Sequence, residues 1–180
     1  SREPGAHSAR SFITSAGGLP HEPGTYGLNP AQKLMEVTSA TERVAQITTT
    51  LGRSGLLPFL AAPVLLYLDP HHARLYSAAL ASYALAIICF LVGVWWGLAL
   101  IRRAPGPLVY SNAIVIAAFF GHVFLTDHAF FLLCALLYPL TVVVERSHTL
   151  FRPQPPYYAR LRLQLTVVAT VTLVLSATLT

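Results

Sequence analysis

Charge is what this sequence has least of. Only 11% of its 180 residues are Asp, Glu, Lys or Arg, against about 25% in an ordinary soluble domain, too few to coat a globule of this size in water. Cysteine is nearly as scarce: Cys89 and Cys134 are the two present, which excludes the disulfide framework of a small secreted domain. Both fall inside apolar stretches, at depths differing by about nine residues or roughly 13 Å of helix. That separation excludes a bond between them and leaves two buried thiols acting as small apolar side chains. No CxxC pair, glycine-rich phosphate loop or serine–histidine–aspartate order occurs, so thiol-redox, nucleotide and acyl-transfer chemistry find no footing. Lysine occurs once, and eleven arginines make up the remaining basic residues. The net charge of +5 sits at the ends of apolar runs, as an orientation signal does, not in a patch suited to nucleic acid.

What is present in abundance is apolar length. Residues 75–101 run for 27 positions without a charge, enough to cross a hydrocarbon core of about 30 Å with some tilt. The run stops at Arg102-Arg103, preceded within two turns by Trp95 and Trp96; paired arginines and indole rings are the usual anchors at the headgroup level. Gly93 and Gly97 form a GxxxG step, and Ala78, Ser82 and Ala86 continue small residues at four-residue spacing. In lipid such a face predicts close approach of another helix. Ala113, Ala117 and Gly121 repeat the pattern in a later span.

In chain order, residues 1–29 form a Pro/Gly-rich arm whose composition resists regular structure. An arm without a core becomes ordered by lying on something else, so Phe12 and Tyr26 are expected to be partner contacts. The start at Ser1, with Arg2 and Arg10 nearby, fits a processed organellar product. Asn29, Pro30 and Gln32 predict a capped helix start. Leu34, Val44 and Ile47 then follow at helical spacing, so residues 30–50 read as an amphipathic helix for a membrane surface or a partner. Five spans are expected in residues 51–180, at 51–68, 75–103, 108–125, 129–144 and 157–179. Pro58, Pro63 and Pro139 should kink or irregularise them. Residues 145–156 read as a polar loop, followed by Arg160 and Arg162 as further interface anchors.

The charges test this topology. With five crossings, eleven of the twelve basic residues share one side and only Arg74 lies on the other, beside Asp69 and Asp127. That split predicts an N-terminus on the matrix or cytoplasmic face. With all charges at span ends, a proton pump or ion-coupled carrier is disfavoured. A pore lined by Ser82, Ser111 or Asn112 is the alternative. His71, His72, His122 and His128 gather near the acidic face, but their spacing matches no zinc or copper signature, and no two of them face each other at one depth for a haem. No metal and no cofactor is expected; a structural lipid is the one non-protein component foreseen.

Three stretches taken together resemble a known family: LGRSGLLPFL at 51–60, FLVGVWWGLAL at 90–100 and PYYARLRLQLT at 156–166. In this order, over five spans, they are similar to the transmembrane-protein-69-like family, small multi-span proteins carrying a domain of unknown function in bacterial and mitochondrial membranes. The resemblance covers roughly residues 45–180 and implies an inner-membrane location with no established reaction, hence no catalytic residues. Members commonly place a histidine before the Trp-Gly pair, where this chain has Trp95.

The sequence therefore predicts an all-α membrane protein: a five-helix transmembrane bundle with an extended N-terminal arm and an amphipathic helix. The function expected is that of a non-catalytic accessory or assembly subunit of a large mitochondrial inner-membrane complex, of the respiratory chain or ATP synthase, with its N-terminus in the matrix. Its partners would be lipids and neighbouring subunits, not nucleic acid. A bacterial inner membrane is the alternative location, and a small transporter or channel for a neutral or lipophilic solute the alternative function.

Overall fold

The computed structural model describes residues 29–152 and 154–180. The described residues form six α-helices, α1 (Pro30–Ser54), α2 (Leu57–Leu68), α3 (Ala73–Arg102), α4 (Pro105–Phe124), α5 (Asp127–Ser147) and α6 (Pro156–Leu179), with short 3-10 turns at Pro70–His72 and Thr149–Phe151. Five stretches are long and apolar enough to cross a membrane: Pro30–Leu68, Pro70–Arg102, Pro105–Phe124, Asp127–Ser147 and Pro156–Leu179. The chain is an all-α, five-span membrane protein.

By contacts it divides into two units, residues 1–40 and 41–180. In the first, the described residues open α1. The Asn29 N–H donates to Gln32 Oε1 at 3.0 Å while Asn29 Oδ1 accepts from the Ala31 N–H at 3.4 Å, a reciprocal cap that satisfies two otherwise orphaned donors. Leu34 is exposed here. Phe12, Tyr26 and the rest of residues 1–28 lie outside the described residues.

In the second unit, α1 runs past its expected end at residue 50 to Ser54. It stops there because Pro58, four residues on, has no N–H for the Ser54 carbonyl. The chain closes the turn through the Gly55 and Leu56 N–H groups, which donate to Leu51 O and Arg53 O, each at 3.0 Å. With Pro58 in its first turn, α2 restarts at no cost in hydrogen bonds. It has only 12 residues, about 18 Å, so the first crossing must include the end of α1. Val44 and Ile47 are exposed on that segment. Pro63 and Pro139 lie inside α2 and α5, and neither ends its helix. Thr126 caps α5 by accepting from the Ala129 N–H at 3.4 Å.

The spans form a ring in which α2 packs on α3, α3 on α4, α4 on α5, α5 on α6 and α6 on α2, with α3 and α5 also touching across the middle. The centre holds Ala84, Ile88, Val92 and Trp95 of α3, Phe130, Phe131, Cys134 and Tyr138 of α5, and Ala169, Leu173 and Ala177 of α6. Both cysteines are free, Cys134 buried and Cys89 half-buried. Because lipid tails are as apolar as these side chains, van der Waals fit and interhelical hydrogen bonds hold the ring together.

Candidate functional site

The two charged residues buried in the ring, Glu145 and Arg162, meet at one level, where α3, α5 and α6 come together. Glu145 extends the buried face of α5, four residues on from Thr141 and three from Val142. Helix α5 continues to Ser147, so Glu145 belongs to a helix and not to the loop expected from residue 145. Its Oε2 accepts from Arg162 Nε at 3.1 Å and its Oε1 from Arg162 Nη2 at 3.2 Å and from Trp95 Nε1 at 3.1 Å. Arg162 Nη2 also donates to Thr141 Oγ1 at 3.0 Å, and that hydroxyl donates to Tyr138 O at 2.7 Å. The Tyr138 hydroxyl donates in turn to Ala84 O on α3 at 3.1 Å. One carboxylate and one guanidinium thus bind three helices in a low-dielectric interior, where such bonds are strengthened and an unpaired member would be costly.

Two expected anchors are corrected by this arrangement. Trp95 is 1% exposed and Arg162 6%; both point inward, because the Glu145 carboxylate offers a partner stronger than the headgroup level. Glu145 and Arg162 still lie near the ends of α5 and α6, as expected of the charges, but they face the interior. Trp96, Arg102, Arg103 and Arg160 are exposed. Arg102 Nη1 donates to Leu150 O at 2.6 Å and to Arg152 O at 3.0 Å, fastening the end of α3 to the connection between α5 and α6. Arg103 closes α3 in the left-handed region, φ 53°, with the Ala104 N–H returning to Ala99 O at 3.0 Å.

The small-residue faces are corrected as well. Ala78, Ser82, Ala86, Gly93 and Gly97 on α3, and Ala113 and Ala117 on α4, are exposed, and a Cβ added at Gly93 or Gly97 would meet nothing within 4 Å. The bundle packs instead through the adjacent stripe of Ala81, Ala84, Ile88, Val92, Trp95 and Ala99. Gly121 alone of the set is a packed position, where a Cβ would overlap Leu133 Cδ2.

Beside the ion pair lies a cavity of about 440 Å³ between the end of α1 and α2, α3, α5 and α6, with Arg162, Tyr138, Tyr158 and Thr166 in its otherwise largely apolar wall. None of the expected pore residues lines it. Ser82 faces outward, the Ser111 hydroxyl donates to Leu108 O at 2.9 Å, and Asn112 Nδ2 donates to the same carbonyl at 2.9 Å. At the opposite end of the bundle, His128 Nδ1 lies 2.6 Å from Ala177 O, His72 Nδ1 2.8 Å from Asp69 Oδ2, and the Ser77 hydroxyl donates to Asp127. Among the described residues no three His, Cys, Asp or Glu side chains group as metal ligands.

Glu145 and the cavity were the features that sequence reasoning missed. The signal for Glu145 was available: Cys134, Leu137, Tyr138, Thr141, Val142 and Glu145 are one stripe at three- and four-residue steps. A tight return through 148–155 sets that stripe at the depth of Arg162 in the second turn of α6.

Residues 44–178, three quarters of the chain, match the family described as "Protein of unknown function (DUF3429)". Transmembrane protein 69 of Xenopus tropicalis is similar, 29% identical over 129 residues, which is 69% of this chain and 51% of that protein. The chain thus spans about half the length of the curated relative it matches. No solved structure matches.

Proposed function

This chain belongs to the DUF3429 family of proteins of unknown function, and on that premise we propose that it is a non-catalytic accessory or assembly subunit of a multi-subunit complex in the mitochondrial inner membrane, of the respiratory chain or ATP synthase. The observation that carries the proposal is the small-residue face Ala78, Ser82, Ala86, Gly93 and Gly97, which the protein's own bundle leaves open. Two glycines without neighbours on a membrane helix let a foreign backbone approach closely, and in lipid that approach is the main source of helix association. Exposed Val44, Ile47 and Leu51 on α1 add an apolar face to the same reading. The concentration of basic residues at one set of span ends supports a matrix-side N-terminus.

Replacing Gly93 and Gly97 together by leucine tests it. The variant should insert and fold as before, since neither position is packed, but migrate on a native gel without the larger assembly; unchanged comigration would overturn the proposal. The alternative, a carrier of neutral or lipophilic solutes, draws on the cavity beside Arg162. It requires solute flux into liposomes holding the protein alone.

A further inference from the structure

The cavity has features that a scaffold does not require. At about 440 Å³ it falls within the roughly 300–1,000 Å³ of small-molecule pockets. It follows α6 from Tyr158 to Ala169, about 16 Å at the helical rise, so it is elongated. Leu51 and Phe90 line it and are exposed, which opens it toward lipid.

Its polar inventory is one-sided. Arg162 spends Nε and Nη2 on Glu145 and Thr141, while Nη1 makes no hydrogen bond among the described residues. The Thr166 hydroxyl, one helical turn away on the same face, is buried without a partner, in a residue only 4% exposed. Two further α6 hydroxyls among the described residues, those of Thr170 and Ser176, are also buried without partners, but of the three only Thr166 lines the cavity. Buried hydroxyls without partners are uncommon enough to need an explanation, and here two neighbouring groups both have protons to give.

The charge balance decides what would accept them. Glu145 already neutralises Arg162. A second anion would leave the interior with an uncompensated negative charge, which a low dielectric penalises heavily. A neutral acceptor carries no such penalty. We propose that this cavity is a binding site for an uncharged, elongated lipophile with a carbonyl-type head, an acyl ester or a quinone. The head sits at Arg162 Nη1 and Thr166 Oγ1, and the apolar body lies along Phe59, Leu91 and Ala169. The site is independent of the α3 interface above, since neither Gly93 nor Gly97 lines it.

Native mass spectrometry of the full chain released from nanodiscs tests this, with methyl oleate, decylubiquinone and oleate as probes. Wild-type protein should retain at least one of the two neutral probes: methyl oleate alone identifies an ester site, decylubiquinone alone a quinone site, both the shared carbonyl chemistry. Thr166→Val, nearly isosteric, should weaken retention about three- to tenfold, the worth of one hydrogen bond. Ala169→Phe should abolish it by filling the cavity. The proposal is overturned by preference for oleate, by no retention of either neutral probe, or by retention that both variants leave unchanged.

Discussion

Arg162 and Glu145 meet through two nitrogens and two oxygens, Nε to Oε2 at 3.1 Å and Nη2 to Oε1 at 3.2 Å, with side chains only 7% and 9% exposed. The forked geometry matches guanidinium to carboxylate and adds orientation to attraction. It joins α5 to α6 across a tight return, and through Trp95 it also holds α3. Burying two ions is expensive, so such a pair is better evidence of a fixed register than of net stability.

Removing one partner should therefore cost far more than removing both. Arg162→Met or Glu145→Leu alone should lower unfolding stability by about 3–5 kcal/mol, because each leaves a bare charge inside. The double variant should recover most of that loss. Unfolding in mixed micelles followed by circular dichroism checks it; single and double variants of equal stability would remove the pair from the account.

The two adjacent tryptophans should behave as though in different solvents. Trp95 is 1% exposed and bonded to Glu145, whereas Trp96 is 43% exposed on the outer surface. In the Trp96→Phe variant the remaining indole should resist quenching by brominated lipid. In Trp95→Phe the remaining one should be quenched strongly, and stability should fall by about 1.5–3 kcal/mol for the lost bond to a charged acceptor. Equal quenching in both variants would return Trp95 to the interface.

Glycine substitutions should separate packed from open faces. A methyl at Gly121 overlaps Leu133 Cδ2, the far end of a flexible side chain, so Gly121→Ala should cost about 1–3 kcal/mol as Leu133 is displaced. Gly97→Ala meets nothing within 4 Å and should leave the isolated protein unchanged or up to about 1 kcal/mol more stable, through helix propensity alone. Thermal midpoints in one detergent suffice for the comparison.

These contrasts also explain what was legible in the sequence. Span count, the α1 cap and the break ahead of Pro58 follow from chain chemistry that acts within a few residues, and each is found. The inward face of α3 does not follow, because a helix that is apolar all round carries no hydrophobic stripe to mark it. Ala81 and Ser82 are neighbours of similar size, yet one is 2% exposed and the other faces outward. GxxxG marks where a helix could approach, not which helix does. Glu145 begins a polar run that reads as a loop, while the stripe through Tyr138 and Thr141 continues the helix through it. The cavity was illegible for a different reason: its wall comes from five helices distant in sequence.

The connection between α2 and α3 should carry an acid limit. Asp69 Oδ2 lies 2.8 Å from His72 Nδ1 and accepts from the Tyr76 hydroxyl at 3.0 Å. The His72 hydrogen bond, and after it the Tyr76 one, hold the Asp69 carboxyl below its ordinary value of 3.8, against a smaller opposing effect of burial. A carboxyl whose folded pKa lies below its unfolded one stabilises fully above the unfolded value. The contribution disappears as pH falls through the depressed folded value. The difference in thermal midpoint between wild type and Asp69→Asn should therefore shrink as pH falls below about pH 4. Because Asp69 is 37% exposed on its side chain, the difference should also be modest and weaken with salt. A difference that instead grew on acidification would have the wrong sign for a carboxyl stabilised in its charged form, and would place the dependence on another group.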